Sequence, residues 1–191
     1  MPTQVSTEVI EDLAVTTAKL AGQAVTPAKM SQPLTIGTAQ ATTSGTAKDF
    51  TGIPSWAKRV TVNVSGASTN GASPMLVQIG TASGIESTGY LGSSGYIQNA
   101  SQSLTAALSA GIYLVKDNAS TNVTHGVVVF TLLDAATNTW AFTGLFGNSN
   151  NVVPSQVSGS KALAGTLDRV RFTTLNGTDA FDAGLVNIMY E

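Results

Sequence analysis

The sequence contains no cysteine and one histidine, and only 10% of its residues are charged. Zero cysteine excludes a disulfide framework and any Cys-ligated zinc site. The charged fraction lies well below the ~25% usual for soluble domains. A net charge of −2 and basic residues that never cluster beyond Lys58–Arg59 leave no electrostatic footprint for a nucleic-acid backbone. The longest apolar stretch, Val127 to Phe130 followed by Leu132-Leu133, is far short of the ~18 residues needed to span a bilayer, so no membrane insertion is expected. The opening Met-Pro-Thr-Gln-Val-Ser-Thr-Glu shows no basic n-region and no apolar h-region, and assembly in the cytoplasm is the expectation.

Hydroxyls and amides take the place of charge. Serine and threonine make up roughly a quarter of the chain, beside 19 glycines and many asparagines. Such residues suit turns, strand faces and neutral surfaces. With 42% hydrophobic residues the chain can still build one proper core.

Near the N-terminus a decapeptide recurs. Val5-Ser6-Thr7-Glu8-Val9-Ile10 aligns with Val15-Thr16-Thr17-Ala18-Lys19-Leu20 and with Val25-Thr26-Pro27-Ala28-Lys29-Met30. In a continuous α-helix ten residues fall roughly 80° short of three full turns, so the apolar seam would precess, and a conventional coiled coil is disfavoured. One small helical turn per copy fits better. Thr16 and Thr26 are good N-caps, Pro27 takes the favoured first helical position, and Gly22 interrupts the chain between turns. Val15, Leu20, Val25 and Met30 have too little chain around them to be buried within one molecule, which predicts intertwined protomers. The expected organisation is an attachment stem over 1–32, a linker or first strand over 33–46, and a head over 47–191.

The head reads as all-β, a β-sandwich of jelly-roll type. Arg59 to Val64 and Asp168 to Thr173 alternate polar and apolar residues, the pattern of strands with one buried face. Met75–Ile79, Gly126–Leu133, Thr139–Phe146 and Leu185–Tyr190 add further runs. Asn176-Gly177 predicts a hairpin turn, and Leu104 to Leu108 a short turn.

Catalytic constellations are poor. His125 has no Gly-x-Ser-x-Gly elbow to serve and is read as structural. Ser55 to Lys58 and Ser158 to Lys161 match Ser-x-x-Lys without the motifs that accompany it in enzymes. Asp179 and Asp182, three apart in an extended segment, point to opposite faces and support turns instead of forming a glycosidase pair. Asp117 and Asp134 suit Asx turns better than a calcium loop. No enzyme, cofactor or metal is expected. Trp56 and Trp140 are assigned to packing. Residues 83–103 mix tyrosine with Ser, Gly and Asn, the composition of adaptable binding loops, so Tyr90, Tyr96, Gln98 and Asn99 are the candidate contacts to a glycan. The cluster Phe146 to Asn151 is a second candidate.

Three strings carry a resemblance: Val25 to Leu34, Asp49-Phe50-Thr51-Gly52-Ile53-Pro54-Ser55-Trp56-Ala57-Lys58-Arg59-Val60-Thr61-Val62, and Leu163 to Arg171 continued by Asn176 to Ile188. They resemble tail-fibre and receptor-binding proteins of tailed bacteriophages. The resemblance implies a virion protein of the phage tail, a homotrimer joined by its N-terminus to a tail or baseplate protein. Its C-terminal head would contact a host surface polysaccharide or outer-membrane receptor; a purely structural tail adaptor or decoration protein is the alternative. Light scattering at micromolar concentration should therefore report a homotrimer, and a monomer would refute the stem reading.

Overall fold

The computed structural model describes residues 32–98, 102–115 and 118–191, with backbone only at Gln98 and at 102–106. The chain divides between Pro33 and Leu34. The stem positions Val15, Leu20, Val25 and Met30 and the candidate contact Asn99 lie outside the described residues. Leu34 to Glu191 is all-β, with no helix among the described residues.

Its strands, in chain order, are β1 (Thr35–Ile36), β2 (Gln40–Ala41), β3 (Ala47–Phe50), β4 (Arg59–Thr69) and β5 (Met75–Thr81). There follow β6 (Gly84–Ile85), β7 (Tyr90–Gln98), β8 (Gln102–Ala107), β9 (Ile112–Tyr113) and β10 (Thr124–Asp134). The last four are β11 (Thr139–Asn148), β12 (Val153–Ala162), β13 (Leu167–Thr174) and β14 (Phe181–Tyr190). Every pairing is antiparallel. A nine-stranded sheet runs β1-β14-β4-β10-β11-β12-β7-β8, with β2 also on β14; a five-stranded sheet runs β3-β13-β5-β6, with β9 on β5.

Period-two alternation explains the long strands. In β11, Trp140, Phe142 and Phe146 are buried while Thr143 and Leu145 are exposed; in β12, Val153, Ser155 and Val157 are buried between Pro154, Gln156 and Ser158. Buried side chains of both sheets belong to one hydrophobic cluster. Phe172 of β13 stacks on Phe181 of β14 with ring centroids 4.8 Å apart, and Phe130 tilts against Phe142 at 6.0 Å. Trp140 is buried in this cluster, and Trp56 packs on it beside Tyr190.

Two local expectations are corrected. Asn176-Gly177 does turn the chain, with Gly177 at φ 67°, but β13 and β14 belong to different sheets, so it passes between sheets and forms no hairpin. Asn176 Oδ1 accepts the N–H groups of Thr178 and Asp179, which shapes that passage. The stretch 104–108 is not a turn: β8 runs to Ala107 as the partner of β7.

Where the chain passes from β6 to β7, polar groups are knotted. Lys161 Nζ is buried, bonds Glu86 Oε2 and the Ala162 carbonyl at 2.5 Å each, and lies 5.8 Å from the Tyr90 ring centroid. Glu86 Oε1 accepts the Ala164 N–H at 2.8 Å. Lys161→Met leaves the Glu86 carboxylate unpaired but still part-exposed. It should cost roughly 2 kcal/mol in urea denaturation, below the 3–5 kcal/mol of a fully buried pair.

Candidate functional site

The tyrosines expected on an exposed loop are buried in a strand. Tyr90 is 2% exposed and Tyr96 is 3% exposed, both in β7. The Tyr90 hydroxyl accepts the Ile79 N–H at 2.8 Å and donates to the Glu86 carbonyl at 2.9 Å, linking the two sheets. Burial pushes its phenol pKa above the ordinary value, with the Glu86 charge adding to the rise against the Ile79 hydrogen bond. Tyr96 pairs across to Ser155 on one side and Leu104 on the other. Gln98 ends β7 opposite Gln102. Neither tyrosine ring offers a face for a sugar to stack on.

The reactive side chains weighed in the sequence are engaged in structural bonds. Lys161 is held by Glu86, and Asp182 accepts from the Ser68 hydroxyl. Asp179 accepts the Asn176 amide and the Ser73 N–H, which hold its carboxyl below the usual range. Asp134 is held low in the same way by the Thr137 hydroxyl and the Ala136 N–H, an Asx turn. Among the described residues no group of three or more His, Cys, Asp or Glu could hold a metal ion.

A hollow lies at one end of the large sheet. Its volume is about 540 Å³, and it is lined by His125, Gly126, Leu145, Phe146, Gly147, Asn148 and Ser149. Two glycines shape it. A Cβ on Gly126, at φ 146°, would sit 2.2 Å from the Leu145 carbonyl and 2.5 Å from Phe146 Cδ1, so a glycine there lets β10 and β11 approach; Gly147, which pairs with His125, would have only the Val153 carbonyl near its Cβ and leaves the surface open. The apolar side chain exposed at the hollow is Leu145, while Phe146 is buried beneath the strand.

Polar groups ring it. His125 Nδ1 accepts the Gly66 N–H at 3.2 Å, so the neutral ring carries its proton on Nε2 as a donor. Asn148 Oδ1 accepts the Thr124 hydroxyl at 2.8 Å, while its buried Nδ2 has no partner. An unsatisfied buried donor costs about 1–3 kcal/mol. Beside it the turn from β11 to β12 is pinned by Asn150, whose Oδ1 accepts the Val123 N–H at 2.9 Å and whose Nδ2 donates to Thr121 O. Val152 closes that turn at φ 48° and is 85% exposed. A β-branched residue in the left-handed region is strained, and such strain concentrates at functional sites.

No family model, curated protein or solved structure matches this chain. The site is therefore defined by its own geometry. It overlaps the candidate cluster Phe146 to Asn151 and adds His125, read from the sequence as structural, which bonds the Gly66 N–H and is exposed where the register shifts between Thr124 and Gly126 against β4. Tyr90→Phe removes an acceptor and strands the Ile79 N–H. It should lower stability by about 1–2 kcal/mol in thermal or urea denaturation.

Proposed function

We propose that this chain is a short, homotrimeric phage tail fibre whose head, a jelly-roll-like sandwich, binds a neutral glycan of the host surface without cleaving it. One observation carries the reading: the polarity of the head. The chain enters at Leu34, and Thr35 lies opposite Tyr190 in the row that continues through Val60 and Phe130. The hollow and the Asn148–Val152 turn lie at the other end of the sheet, in and beyond the row Thr124, Asn148, Val153. Thr124 and Phe130 are about 20 Å apart along β10. The hollow thus lies at the end of the sheet opposite the one at which the chain enters at Leu34.

Chemistry supports the ligand class. A neutral glycan presents C–H faces and hydroxyls; Leu145, 66% exposed, offers apolar surface, and the His125 Nε2–H and Ser149 offer hydrogen bonds. No carboxylate, lysine or arginine lines the hollow. Binding without turnover follows, since a glycosidase needs two carboxyl groups flanking the scissile bond. The alternative is a tail adaptor that touches no receptor, which the neutral face of the large sheet also suits.

The test fills the hollow. A Cβ on Gly147 meets only the Val153 carbonyl, at an ordinary 3.5 Å, and the residue has no positive φ. Gly147→Leu should keep the fold and the melting temperature within a few degrees while reducing binding to host envelope polysaccharide about tenfold or more. Binding by the parent and the variant alike moves the contact elsewhere on the head. Binding by neither favours the adaptor, and release of reducing ends by the parent refutes a non-enzymatic fibre.

A further inference from the structure

The two sheets differ in the chemistry of the faces they turn to solvent. On the five-stranded sheet Asp49 and Arg171 form a bidentate pair at 2.7 Å, with Arg169 and its partner Asp168 further along β13. On the nine-stranded sheet the outward rows hold no charge. One row reads Ile36, Met189, Thr61, Val129, Thr143, Ser158, Ser93 from β1 to β7; the next reads Asn187, Asn63, Val127, Leu145, Gln156, Gly95. Charge returns only at the ends, as in the Arg59–Glu191 pair. In a chain already short of charge this segregation is selective, and loss of charged residues at the centre of a patch is the compositional mark of a protein interface.

We infer that this outward face is where copies of the same chain meet, an inference that rests on the trimer proposed above. A second copy fits better than a foreign partner on three grounds. A charge-free face is electrostatically complementary to itself. It carries exposed apolar side chains, Ile36 at 73% and Leu91 at 69%, between hydroxyl and amide groups. It is also continuous in sequence with the segment expected to associate: Val15, Leu20, Val25 and Met30 precede Leu34, and the chain then pairs Ile36 with Met189 at the margin of the face. From β1 to β7 the face is roughly 30 Å wide and about 20 Å tall, or about 600 Å² per copy. That is close to the roughly 800 Å² per partner of a stable interface. The hollow, with His125 and Leu145, lies at the rim of the face away from Thr35, and the contact is centred on the row from Thr61 to Ser93.

The absence of native cysteine gives a direct test. Single variants Thr143→Cys and Ser158→Cys place a thiol on the face, and Thr51→Cys places one at an exposed position after β3; all three positions are exposed in the isolated protomer. In the full-length trimer the two face thiols should react with a maleimide about tenfold more slowly than the Thr51→Cys thiol. Equal rates in a species that light scattering shows to be trimeric overturn the assignment of this face and leave the trimer standing. A monomer by light scattering overturns the trimer, and the interface with it.

Discussion

Lys161 is the charge on which the meeting of the two sheets depends. It sits on β12, inside the sheet, where an unpaired ammonium would not be tolerated. Glu86 reaches it from the connection after β6, and that same connection lends its carbonyl to the Tyr90 hydroxyl, which in turn caps the Ile79 N–H of the small sheet. One ion pair and one phenol therefore fix the point where the chain leaves the small sheet and starts β7. Through β7 they also fix the position of β12, since Ser155 to Lys161 pair with Tyr96 to Tyr90 in unbroken register. The rows that cross the large sheet descend from that register.

Register matters here because side-chain direction has a period of two residues. A one-residue slip of β12 would exchange Ser155, Val157 and Lys161 with Gln156, Ser158 and Ser160, burying a glutamine and exposing the ammonium. The neutral outward face and the anchored interior are consequences of a single choice. Several inward positions are small and polar, Ser94 and Ser155 among them, and these gain little from burial. The knot at Lys161 supplies register where hydrophobic alternation is weakest.

Weak alternation also explains which parts of the fold were legible in the sequence. Arg59–Val64 and Asp168–Thr173 are legible because inward positions are apolar and outward ones polar, and both lie within observed strands. Tyr90 to Gln98 is not, because Gly92 and Ser94 occupy the positions between two buried tyrosines. A Tyr, Ser and Gly mixture reads as a binding loop when those inward small residues are not recognised as the mates of a crowded neighbouring strand. Gly92 faces Gly159, and a Cβ on either would collide with the other strand's backbone. The Asn176-Gly177 signal was local and correct as a turn, but turn chemistry does not say to which sheet the next strand belongs. Of the candidate site, the turn after β11 was legible from its asparagines. The exposure of His125 was not, because exposure at a bulge is set by the partner strand and leaves no local pattern.

The end of the large sheet at His125 combines three costly features. Val152 holds a left-handed backbone, Asn148 keeps a buried amide hydrogen-bond donor unpaired, and Gly147 leaves the surface beside Leu145 open. Each carries a cost, and together they leave a shallow hollow that encloses little of a ligand. A shallow neutral site binds weakly on its own, because desolvation and loss of freedom consume most of what a few hydrogen bonds return. In the proposed fibre, repetition resolves this. Three copies in the proposed trimer would carry three hollows that a repeating polysaccharide could engage together, with avidity exceeding a single-site affinity by about 10²–10⁴. Under that constraint a small, uncharged and slightly strained hollow is a better solution than a deep pocket.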